Sequence, residues 1–169
     1  SVPWRHTRPL GIAGRNRGLG LALPLSAFDR RRRTLSGPKT FISYSWTSPL
    51  HEQWVMDLAT QLVEKGVRVV LDKWDLREGH DALQFMEAMV VDPDVTKVIV
   101  ISDKHYADKA DKRRGGVGTE SQIMSPEIYK KADQTKFVAV LPELDTNGEP
   151  CLPAFLRSRM YIDMSSDDR

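Results

Sequence analysis

Apolar residues in this chain fall into short blocks, and the blocks alternate between two spacings. Residues 40–44 (TFISY), 67–71 (VRVVL), 97–101 (KVIVI) and 137–141 (FVAVL) are compact apolar runs bounded by charge, serine or glycine. Runs of this kind are buried on both faces, which is the habit of strands in a parallel sheet. Residues 160–164 (MYIDM) add a shorter fifth run. Between the runs the spacing changes to that of helices. Ser48 caps orphan amides and Pro49 loses nothing at a first helical position, so a helix starts there. It places Leu50, Trp54, Leu58 and Leu62 on one face and stops at Gly66. A second helix runs from Asp81 to Val91 with Pro93 closing it, and a third covers residues 121–132. Strands alternating with helices predict βαβ units, and hence an α/β protein with a central parallel five-stranded sheet and helices on both faces.

The length of 169 residues suits one domain with a proper core. No run of about 18 apolar residues is present, so no span of a bilayer is expected. Cys151 is the sole cysteine. It excludes an internal disulfide framework and a cysteine-based metal cluster, and it favours a reducing, cytoplasmic setting. His6, His51, His80 and His105 lie far apart and show no ligand spacing.

Charge divides the chain unevenly. Residues 1–35 hold Arg5, Arg8, Arg15, Arg17, Arg30, Arg31, Arg32 and Arg33 against the single acid Asp29, whereas the remainder carries 17 of the 25 basic and 22 of the 23 acidic residues. The first 38 residues, rich in Gly, Pro and Arg, read as a disordered or loosely docked basic extension, and residues 39–169 as the domain. The arginine cluster would suit nucleic acid or an acidic membrane through summed charge, or simply lie outside the fold; it implies no specific nucleic-acid site.

The stretch VRVVLDKWDLREGHDALQFME, residues 67–87, concentrates the candidate chemistry. Its polar residues follow a strand, where open α/β sheets place their ligands. With Ala82 set at 0° and ~100° per residue, Phe85, Met89, Met86, Val90 and Leu83 form an apolar arc and Glu87 falls on its rim near 140°. A carboxylate there is partly desolvated, which strengthens its attraction for a cation; it is equally a boundary glutamate reaching water. Asp72, Asp75, Glu78 and Asp81, interleaved with Lys73 and Arg77, are either solvated turn charges or a divalent-metal set. Trp74 and Trp46 offer planar faces for a ring or for a packing helix. Gly115, Gly116, Val117 and Gly118, with Arg113 and Arg114, lack the spacing of a phosphate loop and read as a mobile loop. Ser125, Pro126 and Glu127 read as a helix cap.

FISYSW at residues 41–46, LDKWDLREG at 71–79, FMEAMV at 85–90 and VIVIS at 98–102, together with the GGVG run, resemble the TIR and SEFIR domain superfamily, in particular bacterial SEFIR-type TIR domains. The resemblance spans residues 39–164. It implies a flavodoxin-like three-layer fold in which the segment 74–81 is a self-association loop. Many bacterial TIR domains are NAD+ glycohydrolases in antiphage defence, active once a sensor domain or partner protein clusters them. By resemblance Glu87 would be the catalytic acid, with Asp81 as the fallback if the helix register shifts. Ser45 and Trp46, with Trp74, Asp75, Leu76, Arg77 and Gly79, would line the nucleotide pocket. NAD+ would be substrate rather than cofactor, and no metal is required, because a carboxylate beside the ribose can stabilise the oxocarbenium-like cation left by nicotinamide.

The rival reading is a non-enzymatic adaptor that recruits other TIR or SEFIR domains. Glu87 facing a cleft with Ser45 and Trp46 would favour the enzyme; Glu87 turned to solvent or held in a salt bridge would favour the adaptor. A phosphoacceptor domain of similar topology would want paired acids after the first strand, where this chain has Tyr44, Ser45 and Trp46.

Overall fold

The computed structural model describes residues 26–112 and 123–166. Five parallel strands, β1 (Lys39–Ser43), β2 (Arg68–Val70), β3 (Val95–Ile101), β4 (Phe137–Leu141) and β5 (Tyr161–Asp163), form one sheet in the order β2-β1-β3-β4-β5. This is the flavodoxin-like doubly wound order. Alternate residues of β1 to β4 enter different cores, whereas Tyr161 and Ile162 of the edge strand β5 are exposed. Phe41, Val70, Val98, Val100, Phe137, Ala139 and Leu141 belong to one buried cluster. Ile42, Val69, Leu71, Ile101 and Val140 belong to the other. These four strands therefore read as apolar runs because both of their faces are covered.

Among the described residues six helices flank the sheet: α1 (Ala27–Thr34), α2 (Pro49–Glu64), α3 (Asp72–Asp75), α4 (Ala82–Val91), α5 (Lys104–Lys112) and α6 (Pro126–Lys131). Met86 and Val90 of α4, Tyr106 and Ala110 of α5, and Ile128 and Tyr129 of α6 fill the first cluster. Val55, Ala59 and Val63 of α2 fill the second, joined at its margin by Phe28, Trp46 and Trp74. The three α2 residues sit one position on from the expected stripe, and Leu50 is 85% exposed. Val and Ala bring the helix close to the sheet, which leaves Trp54, Leu58 and Leu62 at the rim, and Leu50 lies in the first turn of the helix.

Two segments differ from expectation. Residues 27–34, assigned to the basic extension, form α1, capped by Ser26, whose Oγ accepts from the Asp29 amide at 3.1 Å. Residues 104–112 form α5, whose buried stripe of Tyr106, Ala107 and Ala110 is short and diluted by lysine and aspartate. The glycine run Gly115, Gly116, Val117 and Gly118, with Arg113 and Arg114, lies outside the described residues.

The connection from α1 into β1 depends on glycine. A Cβ on Gly37 would lie 1.9 Å from the Gly66 carbonyl oxygen, and Gly66 itself ends α2 at φ +91°. Only at this close approach can the Pro38 carbonyl accept from the Arg68 amide, at 3.0 Å, and carry the chain past the edge strand β2.

Candidate functional site

In this strand order the connections leave β1 in opposite directions, so a crevice opens between the carboxyl ends of β1 and β3. Two residues past β1 lies Ser45, and two past β3 lies Asp103. Both are buried, at 0% and 4% exposure. The Ser45 hydroxyl stands 2.8 Å from each Asp103 carboxylate oxygen, and the Thr47 hydroxyl 2.6 Å from Oδ2. The Tyr106 amide, in the first turn of α5, donates to Oδ1 at 2.7 Å, so Asp103 also caps that helix. His51 Nε2 stands 3.8 Å from Oδ2 and meets no acceptor at hydrogen-bonding geometry. The mouth of the crevice is thus closed by the chain's own hydroxyl and carboxylate groups.

A second network joins the ends of β1 and β2. Trp46 Nε1 donates to Asp72 Oδ2 at 3.1 Å. Burial raises the Asp72 carboxyl above the ordinary carboxylate value, although the Tyr44 hydroxyl, the Lys73 amide and Trp46 all pull it back. The Tyr44 phenol is pushed far up by its own burial and by the Asp72 carboxylate beside it. Asp75, on α3, turns back to accept from the Leu71 amide at 3.0 Å. It also receives Arg32 Nη1 of α1 at 2.9 Å on both oxygens. Trp74 packs edge-on against Phe28, with centroids 5.3 Å apart, and lies under the Arg32 guanidinium at 5.2 Å.

After α3 the chain turns outward. Leu76 is half-buried, and Arg77, Glu78, Gly79, His80 and Asp81 are all exposed, with Gly79 at φ +85°. Asp81 then caps α4, its Oδ1 accepting from the Leu83 and Gln84 amides at 2.8 and 3.0 Å. Glu87 is half-buried on the rim of α4, as the helical wheel requires. It lines a shallow groove of about 330 Å³ with Gln84, Ala88 and Val91 of its own helix and Ile128 and Lys131 of α6. The α4 helix packs on the first cluster, whereas Trp46 and Trp74 pack on the second.

A SEFIR domain family model matches residues 38–168, about three quarters of the chain. The chain belongs to the SEFIR domain family. A solved structure described as a prokaryotic SEFIR domain is similar, at 48% identity and a TM-score of 0.63, over 74% of this chain and 85% of that one. No curated protein matches.

Within the SEFIR domain, the residues singled out in the sequence separate into four places. Trp46 and Trp74 pack at the margin of the second cluster, where Asp75 holds Arg32; Ser45 is locked to Asp103; Arg77, Gly79 and Asp81 project with the loop. Glu87 stands apart from all of them, against α6. Sequence reasoning missed Asp103 as Ser45's partner and Arg32 as Asp75's. The pairs are 58 and 43 residues apart, and only the strand order and the docking of α1 bring them together. Among the described residues no group of acids, histidines and cysteine is arranged to hold a metal, and no helix is long and apolar enough to cross a membrane. Cys151 is buried; burial, then Glu143 and Asp145, push its thiol up, which suits packing better than nucleophilic attack.

Proposed function

We propose that this SEFIR domain is a protein–protein interaction module that associates with a second SEFIR domain through the loop 76–81. The observation that carries the reading is the position of Glu87. The acid matched to glycohydrolase chemistry lines a shallow groove with Lys131 and Ile128, while the aromatic residues that would hold a nucleotide pack on the other side of the sheet. Ser45, the hydroxyl matched to that pocket, is fully buried on Asp103. The loop, in contrast, offers four consecutive exposed residues, Arg77 to His80, between two fixed ends, the Asp75 tether and the Asp81 cap. A projecting loop held at both ends loses little entropy on binding.

Two measurements on one set of samples test this. Sedimentation of the full chain should show concentration-dependent association that Arg77→Glu weakens about tenfold or more, because the substitution reverses a charge on the contact. Nicotinamide release from NAD+, with the domain displayed on a multivalent scaffold, should stay at the level of buffer. Release that falls by about two orders of magnitude in Glu87→Ala would overturn the adaptor reading and make the domain a glycohydrolase.

A further inference from the structure

The family match begins at residue 38, so α1 precedes the domain it is docked on. A helix of eight residues, four of them arginine, does not hold its shape alone in water. It is helical because it is seated. The seat is made by Trp74 and Asp75: Phe28 meets the Trp74 ring edge-on, and Arg32 places its guanidinium over the same ring while Nη1 bonds both Asp75 oxygens and the Val69 carbonyl, the last at 3.1 Å.

The fit is incomplete. Arg32 is 3% exposed, yet its Nε and Nη2 meet no acceptor at hydrogen-bonding geometry, and Asp29 stands 3.6 Å from Nη2. A buried cation with donors unmet carries a desolvation cost that its ion pair only partly offsets. The unmet donors therefore offset part of what these contacts contribute to docking α1.

Asp75 lies two residues before Arg77, at the root of the exposed loop. One copy thus carries, two residues apart, a carboxylate that binds a guanidinium stacked on Trp74 and an exposed guanidinium of its own. Two copies facing each other about a two-fold axis can exchange these groups reciprocally, which gives a closed interface with two equal pairs. Arginine is the residue suited to both parts of the seat, by its planar match to a carboxylate and its stacking on a ring.

We propose that the Trp74/Asp75 seat is a guanidinium-binding site on the association face, filled in cis by Arg32 of α1 and, when α1 leaves, by Arg77 of a second copy. The inference rests on the self-association reading above and adds the groups that make the contact and the element that competes for it.

The test compares the sedimentation of the full chain with that of Phe28→Ala/Arg32→Ala, alone and combined with Arg77→Ala. If α1 fills the seat in nine molecules of ten or more, vacating it should tighten association at least about tenfold, and Arg77→Ala should abolish the gain. A folded double variant that associates no more tightly than the parent, while Arg77→Glu still weakens the parent, overturns the α1 proposal and leaves self-association standing. Absence of association in every sample up to millimolar concentration removes the self-association reading and this proposal with it. Hydrogen exchange on the unaltered chain gives a check that needs no variant. The amides of residues 30–34 should exchange at least about a hundredfold faster than those of β3 through local opening of α1. Exchange of α1 only together with the sheet would make it an integral element and overturn the proposal.

Discussion

Asp72 and Asp92 are two carboxyls whose folded environments act in opposite directions. Burial raises Asp72, so the folded state holds its proton more tightly than the unfolded chain does. Protonation of Asp72 therefore stabilises the fold, and the contribution is lost as pH rises through the raised value. The hydrogen bond from Lys39 Nζ, at 2.7 Å, lowers Asp92. Its contribution is present above the ordinary value of 3.8 and is lost as pH falls through the depressed one. Asp72→Asn keeps an acceptor for Trp46 Nε1 and removes the buried charge. It is expected to gain stability relative to the parent at about pH 7 and to gain less at about pH 5, read from urea midpoints at the two pH values. A variant less stable than the parent at neutral pH would mean that the Asp72 charge itself is needed. Asp103→Ala is a harsher change. It leaves the Ser45 and Thr47 hydroxyls and the Tyr106 amide without their acceptor and uncaps α5, and should cost ~3 kcal/mol in urea unfolding. A loss below about 1 kcal/mol would show that water or His51 takes over these bonds.

At the scale of elements, the strands were legible and the helices less so. FVAVL and KVIVI declare themselves because both faces of the sheet are covered, so no polar residue interrupts them. In α2 the i, i+4 series of large residues pointed to the wrong centre, since the face that touches the sheet is the one with smaller side chains, Val55, Ala59 and Val63. The α1 helix was illegible for a different reason. Its sequence, AFDRRRRT, carries no apolar stripe, and the residue that anchors it is one of four consecutive arginines. Nothing local distinguishes Arg32 from Arg31 or Arg33; only the seat does. The Gly37 crossing makes that seating sensitive to a single methyl group. Gly37→Ala drives a Cβ into the Gly66 carbonyl, backbone against backbone, and should cost about 2 kcal/mol. The loss should appear in thermal melts, together with weakened quenching of Trp74 by its neighbours. An unchanged melting temperature would mean that the 35–38 connection re-routes without strain.

Over the whole molecule, the βαβ rhythm was enough to predict a parallel five-stranded sheet, but not the order of its strands, and the candidate site depends on that order. Ser45 and Asp103 become neighbours because β1 and β3 are adjacent. Glu87 lies on the predicted rim of its helix, yet the helix itself packs over the first cluster, facing α6, so the same carboxylate reads differently once the layers are known. The Arg32–Asp75 pair spans 43 positions and joins a segment outside the family match to the root of the exposed loop 77–81. That pairing has an evolutionary consequence. A lineage that loses α1 is left with an acid without its cation next to Trp74 in the chain, and one that neutralises position 75 is left with a stranded cation. The two residues should therefore change together among descendants of this chain: arginine at position 32 retained with an acid at 75, and both replaced where the leading helix is gone.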